Sequence, residues 1–229
     1  MTAEDYKEGQ VILIDKPLGW TSFQVVNKVR WLIRKSYDIK KIKVGHAGTL
    51  DPLASGLLII CTGKLTKKID TFQAQEKEYT GTFTLGATTP SYDLETEIDQ
   101  TFDISEITSE NLMEATQQFL GEIRQQPPVF SALKKDGKRL YEFARSGEAV
   151  EIPLRTVIIS EFEITTVELP IIGFRVVCSK GTYIRSLAND FGKALNSGAH
   201  LSSLRRTKIG EFSVENAVGI DVFEASLPS

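Results

Sequence analysis

QVILIDKP, residues 10–17, is an apolar run that stops at Pro17 and reads as a buried strand. Thr21 and Gln24 then stand at capping-box spacing, with Phe23, Val26, Val29 and Ile33 at helical intervals. They predict a helix with one apolar face and a basic cluster on the other. GLLIICTG, residues 56–63, is a continuous apolar run between glycines and predicts an internal strand. LTKKIDTF predicts a short helix. KEYTGTFTLG alternates, with Tyr79, Gly81, Phe83 and Leu85 on one face and threonines on the other, as a half-exposed strand does.

Further along, SENLMEATQQFLG predicts an amphipathic helix through Leu112, Thr116, Phe119 and Leu120, closed by Gly121. QQPPVFSALKKDGKRLYEFARSG, residues 125–147, breaks the pattern with two prolines, an Asp136-Gly137 turn and many basic residues. It reads as an excursion from the core. Residues 149–178 predict two or three strands. TYIRSLANDFGKAL predicts a helix capped by Thr182, with Ile184, Leu187, Phe191 and Leu195 inward. Strands and helices mix without a βαβα rhythm. The fold class expected is α+β, with a central mixed, largely antiparallel sheet flanked by helices.

Composition adds limits. At 229 residues, with 41% apolar and 25% charged, the chain suits one large soluble domain or two small ones. No apolar run approaches the ~20 residues of a membrane span, and MTAEDYKEGQ is no secretory signal. Cys61 and Cys178 make no C-x-x-C, which favours reduced thiols in a cytoplasm. With only His46 and His200 as histidines, no metal-ligand spacing is present, so no metal is expected.

The net charge of −3 speaks against nucleic acid, but its distribution does not. Residues 80–123 hold nine acids and no Lys or Arg, whereas residues 28–43 hold seven bases against Asp38. Residues 124–145 hold six more bases, including Lys134 and Lys135. Such runs are either solvated faces or a local phosphate-binding surface on an acidic protein.

Candidate chemistry is sparse. TGKLT lacks the spacing of a phosphate loop, GHAG is too short for a dinucleotide fingerprint, and there is no G-x-S-x-G elbow. GHAGTLDPLASG, residues 45–56, sets Asp51 among three glycines and before Pro52. Locally this is turn chemistry or a site. His46 is a loop hydrogen-bonder or a ligand contact, and Tyr79 is core or catalytic. Arg185, in the first turn of its helix, is a cation at the unfavourable end of the macrodipole. It is either a surface arginine or paired with a carboxylate or phosphate.

As a set, DKPLGWTS, GHAGTLDPLASGLLIICTGKLTK, KEYTGTFTLGATTPSYD, the 125–147 segment, CSKGTYIRSLANDFG and GAHLSSLRRTKIGEFS resemble, in order, the bacterial tRNA pseudouridine synthase B (TruB-type) family. The resemblance covers most of residues 11–214. It implies the pseudouridine-synthase fold, a single catalytic domain over 1–229 and an inserted RNA-binding loop at about 124–148. It implies an isomerase that converts a T-loop uridine of tRNA, position 55, to pseudouridine without cofactor or metal, as a cytoplasmic monomer with no required protein partner.

By the same resemblance Asp51 is the nucleophile, Tyr79 stacks on the base and helps move a proton, and Arg185 pairs with the aspartate. His46 holds the flipped-out T-loop, Lys16 and Pro17 support the active-site loop, and Leu204 walls the pocket. Lys134 and Lys135 contact RNA, and the acidic stretch 91–122 faces away from it. The chain resembles a short form without a C-terminal PUA-type domain. That departure argues against the rival reading, a guide-RNA-dependent synthase, whose C-terminal domain anchors the guide. A third reading is an RNA-folding chaperone on the same scaffold, against which an intact Asp51, Tyr79 and Arg185 set speaks.

Chemistry agrees with the resemblance. A base inside a folded loop must be extruded before its glycosidic carbon can react, and an aromatic supplies its stacking partner. A carboxylate can form a covalent intermediate with sugar or base. Burial raises an aspartate's pKa, and a paired Arg keeps it ionised.

Overall fold

The computed structural model describes residues 1–131, 133–135, 137–140, 142–143 and 150–228. Its strands are β1 Val11–Lys16, β2 Val44–His46, β3 Ala54–Thr62, β4 Lys77–Leu85, β5 Ala87–Thr88, β6 Gln100–Thr101, β7 Gly121–Gln125, β8 Lys134–Lys135, β9 Lys138–Arg139, β10 Arg155–Glu168, β11 Ile171–Cys178, β12 Ala199–Ile209 and β13 Phe212–Ser213. Its helices are α1 Ala3–Glu8, α2 Ser22–Ser36, α3 Ile69–Gln73, α4 Ser109–Gln117, α5 Ile184–Ala194 and α6 Ile220–Ala225. The chain divides into two compact units, Met1–Tyr79 with Leu204–Ser229, and Thr80–Ser203.

The first unit is built around β3. On one edge β1 runs antiparallel to it, from Val11 opposite Cys61 to Lys16 opposite Gly56. On the other edge β12 runs parallel, Leu204 to Arg206 opposite Ala54 to Gly56, and β2 runs antiparallel, His46 opposite Ile60. Both faces of β3 are covered. Leu58 and Ile60 pack with Ile12, Ile14 and the inner face of α2 (Val25, Val26, Val29, Leu32, Ile33). Leu57, Ile59 and Cys61 pack with Ala47 and Ile209 on the opposite face. A strand buried on both sides reads as an unbroken apolar run, which is why GLLIIC carries no alternation.

The sequence expectation for α2 holds at its start. Thr21 Oγ1 accepts from Gln24 N–H, and the Gln24 side chain accepts from Thr21 N–H. It fails at Phe23, which is 64% exposed, while Val25 and Leu32 take inward positions instead. The register of the apolar face is set by β1 and β3 and begins one turn later than the spacing suggested.

In the second unit β10 pairs antiparallel with β11, and β7 lies on its other edge. Phe83, Phe119, Phe162, Phe174 and Phe191 form its aromatic core, with Phe83 stacked on Phe174 at 4.1 Å between ring centroids. The alternation expected of β4 is present only from Phe83 to Leu85; before it Lys77, Glu78 and Tyr79 are buried in succession and Gly81 is half-buried like the threonines beside it.

Three local expectations are corrected here. Helix α4 stops at Gln117, so Phe119 is only half-buried and Leu120 is exposed. Gly121 instead opens β7 at φ +83. Thr182 does not cap α5, because its hydroxyl donates to Ser179 O at 3.0 Å. The helix start is held by Gln125, whose Oε1 accepts from Tyr183 N–H at 2.8 Å and whose Nε2 donates to Tyr183 O at 3.1 Å. Leu195 is half-buried just beyond the last turn.

Candidate active site

Asp51 sits on the 47–53 loop, which joins β2 to β3. The loop backbone is held by side chains from other elements. Arg206, 1% exposed on β12, donates from Nη2 to Gly48 O at 3.0 Å, from Nη1 to Thr49 O at 3.5 Å and from Nε to Leu57 O at 2.8 Å. Ser22, in the first turn of α2, accepts from Leu50 N–H at 2.8 Å and donates to Leu50 O at 3.1 Å. Gly19 N–H donates to Pro52 O at 2.8 Å. Asp51 O accepts from Ala54 N–H at 3.0 Å, closing a turn at the entry to β3.

The backbone on both sides of Asp51 is fixed, and the Asp51 residue itself is half-buried. Glycine is needed at Gly56, where φ is +104 and a Cβ would stand 2.3 Å from Arg206 O. The parallel pairing of β3 with β12, which brings Arg206 to the loop, depends on that close approach.

Lys16 ends β1 with no exposed surface. Its Nζ donates to Pro17 O at 3.0 Å and Trp20 O at 2.6 Å, which holds the turn that carries Gly19 to Pro52. Burial pushes its pKa down to about 8, with the Asp51 charge opposing that shift and the Arg206 charge adding to it. Pro17 is exposed. Leu204 is half-buried and stands opposite Ala54.

His46 is half-buried on β2. Its Nδ1 is buried and has no hydrogen-bond partner among the described residues. Burial, then the Arg206 charge, lower its pKa, and a hydrogen bond with the Gly48 backbone opposes them. Tyr79, on β4, is 9% exposed. Lys16, Asp51 and Leu204 thus stand at the start of β3 in the first unit, whereas His46 pairs opposite Ile60 further along the strand.

Arg185 belongs to the second unit, in the first turn of α5, and is 5% exposed. Its Nε lies 3.5 Å from Asp93 Oδ2, and its Nη1 donates to Phe130 O at 2.8 Å and to Ser91 O at 3.5 Å. A buried carboxylate therefore offsets the cation at this helix end. Asp93 is not part of a solvated acidic face, as the charge run suggested. It is buried, and its Oδ1 also accepts from Glu95 N–H at 2.9 Å. Lys134 and Lys135 form a two-residue strand paired with Arg139 and Lys138, and their side chains lie outside the described residues. So do Asp136 and residues 144–149 of the basic excursion.

Sequence reasoning missed Arg206, Ser22 and Asp93. The signal for Arg206 was faint: it stands two residues after Leu204, on the same face of the strand.

In architecture the chain is similar to solved structures of an H/ACA RNP bound to a substrate RNA containing 2'-deoxyuridine (TM-score 0.69, 29% identity, covering 96% of this chain and 53% of that one). It is equally similar to a Cbf5-Nop10-Gar1 complex (TM-score 0.69, 31% identity, 97% and 57%). It spans little more than half the length of those chains. The class of fold is therefore the α+β pseudouridine synthase fold, a mixed sheet flanked by helices.

The family profiles are more specific. Residues 34–184 match the N-terminal domain of the TruB family of pseudouridylate synthases, and residues 185–227 match the C-terminal domain of tRNA pseudouridylate synthase B. Proteins called tRNA pseudouridine synthase B from Flavobacterium johnsoniae (66% identity over 99% of this chain and 100% of that one) and Phocaeicola vulgatus (58%, over 96% and 93%) are similar along their lengths. The chain belongs to the TruB family of pseudouridylate synthases, which are isomerases.

Proposed function

We propose that this protein isomerises the uridine at position 55, in the T-loop of tRNA, to pseudouridine, with Asp51 as nucleophile. The observation that carries the reading is the Asp51 loop. Arg206, Ser22 and Gly19 hold its backbone on both sides of a half-buried carboxylate. Such fixing of a reacting group is worth many orders of magnitude in effective concentration. The extruded uridine stacks on Tyr79, the Asp51 carboxylate bonds to its sugar or base, and the N1–C1′ bond breaks. The base turns and forms the C5–C1′ bond, the bond to Asp51 breaks and frees the carboxylate, C5 loses its proton to solvent, and N1 gains one. The substrate and product are isomers, so no oxidant, reductant or group donor enters.

Tyr79 and Arg185 are the proposed partners of Asp51 in this chemistry. His46, whose buried Nδ1 has no partner among the described residues, is proposed to contact the flipped-out loop. Leu204 walls the base pocket, Lys16 and Pro17 support the loop, and Lys134 and Lys135 contact RNA in the 124–148 insertion of a single 1–229 catalytic domain. The protein is proposed to act as a cytoplasmic monomer, without a protein partner or a guide RNA. No described helix is long and apolar enough to cross a membrane. The tRNA reading is favoured over the guide-dependent one by 66% identity to a tRNA enzyme against 29% to an H/ACA chain.

The test is tritium release from tRNA labelled at uridine C5, with no cofactor added. Wild type releases tritium, and Asp51→Asn binds tRNA within about threefold of wild type but loses turnover by more than about 10⁴-fold. Wild-type release from Asp51→Asn would remove the nucleophile assignment.

A further inference from the structure

Helix α2 runs outward from the Asp51 loop, to which Ser22 ties its first turn. Along it Phe23, Asn27, Trp31 and Lys35 follow at four-residue spacing, and all four are exposed. Phe23 is 64% and Trp31 50% exposed, although Val25, Val26, Val29, Leu32 and Ile33 already fill the buried face. The two aromatics are therefore not core residues left over. At roughly 1.5 Å of rise per residue they stand about 12 Å apart along the axis.

Trp31 is set among cations. Lys28 Nζ lies 4.9 Å and Lys35 Nζ 5.1 Å from its ring centroid. Glu224 of α6 holds Lys28 at 2.8 Å. Seven bases against Asp38 lie between positions 28 and 43. An apolar protein partner would meet this charge unpaired, whereas a nucleic acid strand offers flat bases and phosphates together.

We propose that the outward stripe of α2 is a second RNA-contact track, on which an unpaired nucleobase of the substrate RNA stacks on Trp31 while Lys28 and Lys35 take the flanking phosphates. It rests on the reading of the protein as a tRNA-modifying enzyme. Exposed cation–π contacts are weak beside base–aromatic stacking, so the base displaces an ammonium that then turns to its phosphate. Lys28 exchanges Glu224 for RNA in the same step.

The chain has two tryptophans, Trp20 and Trp31, so Trp20→Phe leaves Trp31 as sole reporter. Titration of that variant with an unmodified tRNA transcript is expected to quench Trp31 fluorescence to saturation. Trp31→Ala weakens the Kd about tenfold and Trp31→Phe by less, as one lost base stack requires. Lys35→Ala lowers the slope of log K against log salt by about one. No quench, with a Trp31→Ala Kd within twofold of wild type, overturns the track. So does a smaller sedimenting species for RNA-free Trp31→Ala, which would give the stripe to a second copy of the chain. A quench in the Trp20→Phe variant together with no tritium release from wild type keeps the track and removes the isomerase reading.

Discussion

Asp51 and Arg185 are held by opposite means. At Asp51 the protein fixes the backbone, with Arg206 and Ser22 gripping the peptide groups of Gly48, Thr49 and Leu50. At Arg185 it fixes the side chain, because the backbone already belongs to α5 and the guanidinium is tied to Asp93 and to the carbonyls of Phe130 and Ser91. A short side chain on a loop has few torsions and takes its aim from the main chain. A long side chain on a helix has many and must be tied along its length. Damage should therefore spread differently, misaiming a carboxylate in one case and freeing a buried cation in the other.

The largest effect is expected at Arg206. Arg206→Met removes the donors to Gly48, Thr49 and Leu57, and hydrogen bonds from a charged group are worth about 1.5–3 kcal/mol each. We expect stability to fall by about 4–5 kcal/mol, near the low end of three such bonds because the one to Thr49 O is long. Turnover should fall about 100-fold in the fraction that stays folded, since small misplacements of a reacting group cost that much. Denaturant titration reads the first and single-turnover tritium release the second. Arg206→Lys restores one donor and should recover stability more than turnover. Equal recovery of both would mean that the loop's aim does not depend on the fork.

At Asp93 the expected loss is of stability first. Asp93→Asn keeps a carbonyl acceptor but removes the charge beside Arg185, which is 5% exposed. Breaking a buried pair by removing one partner costs about 3–5 kcal/mol, and the retained acceptor places this variant near about 2 kcal/mol. Thermal unfolding checks it. An unchanged Tm would show that Asp93 does not hold Arg185 in place, and the contrast with the Asp51 loop would go.

Much of the fold was legible because its elements obey local rules. The capping box at Thr21 and the double-sided burial of β3 both leave a signature within a dozen residues. Phe23 misled because helical spacing gives a period but not where the buried arc begins, which β1 and β3 decide. Asp93 misled because burial of a carboxylate depends on a cation 92 positions away in sequence, and nothing near SYDLETE announces it. Asp51 was marked by its glycines and Pro52. The fork that holds its loop was not, because Arg206 reaches it through the pairing of β12 with β3, more than 140 residues apart. Motif resemblance pointed to Asp51, and only the packed structure found what holds its loop.

The smallest effect is a pH dependence, and it sharpens the same contrast by testing the loop's support from below. Lys16 is buried, and its pKa is pushed from the ordinary 10.5 down to about 8. Between those values the folded protein has released the Lys16 proton while the unfolded chain still carries it. The unfolded state then binds more protons, so this group makes stability rise with pH across the window. Below about pH 8 both states are protonated and the gain is absent. Comparing wild type with Lys16→Met from pH 7 to 10 isolates it, because the substitution deletes the titration and leaves every other group. The wild-type Tm should climb relative to the variant as pH passes 8. Parallel Tm curves across that range would mean that the folded protein keeps the Lys16 proton, and that the contacts to Pro17 O and Trp20 O outweigh its burial.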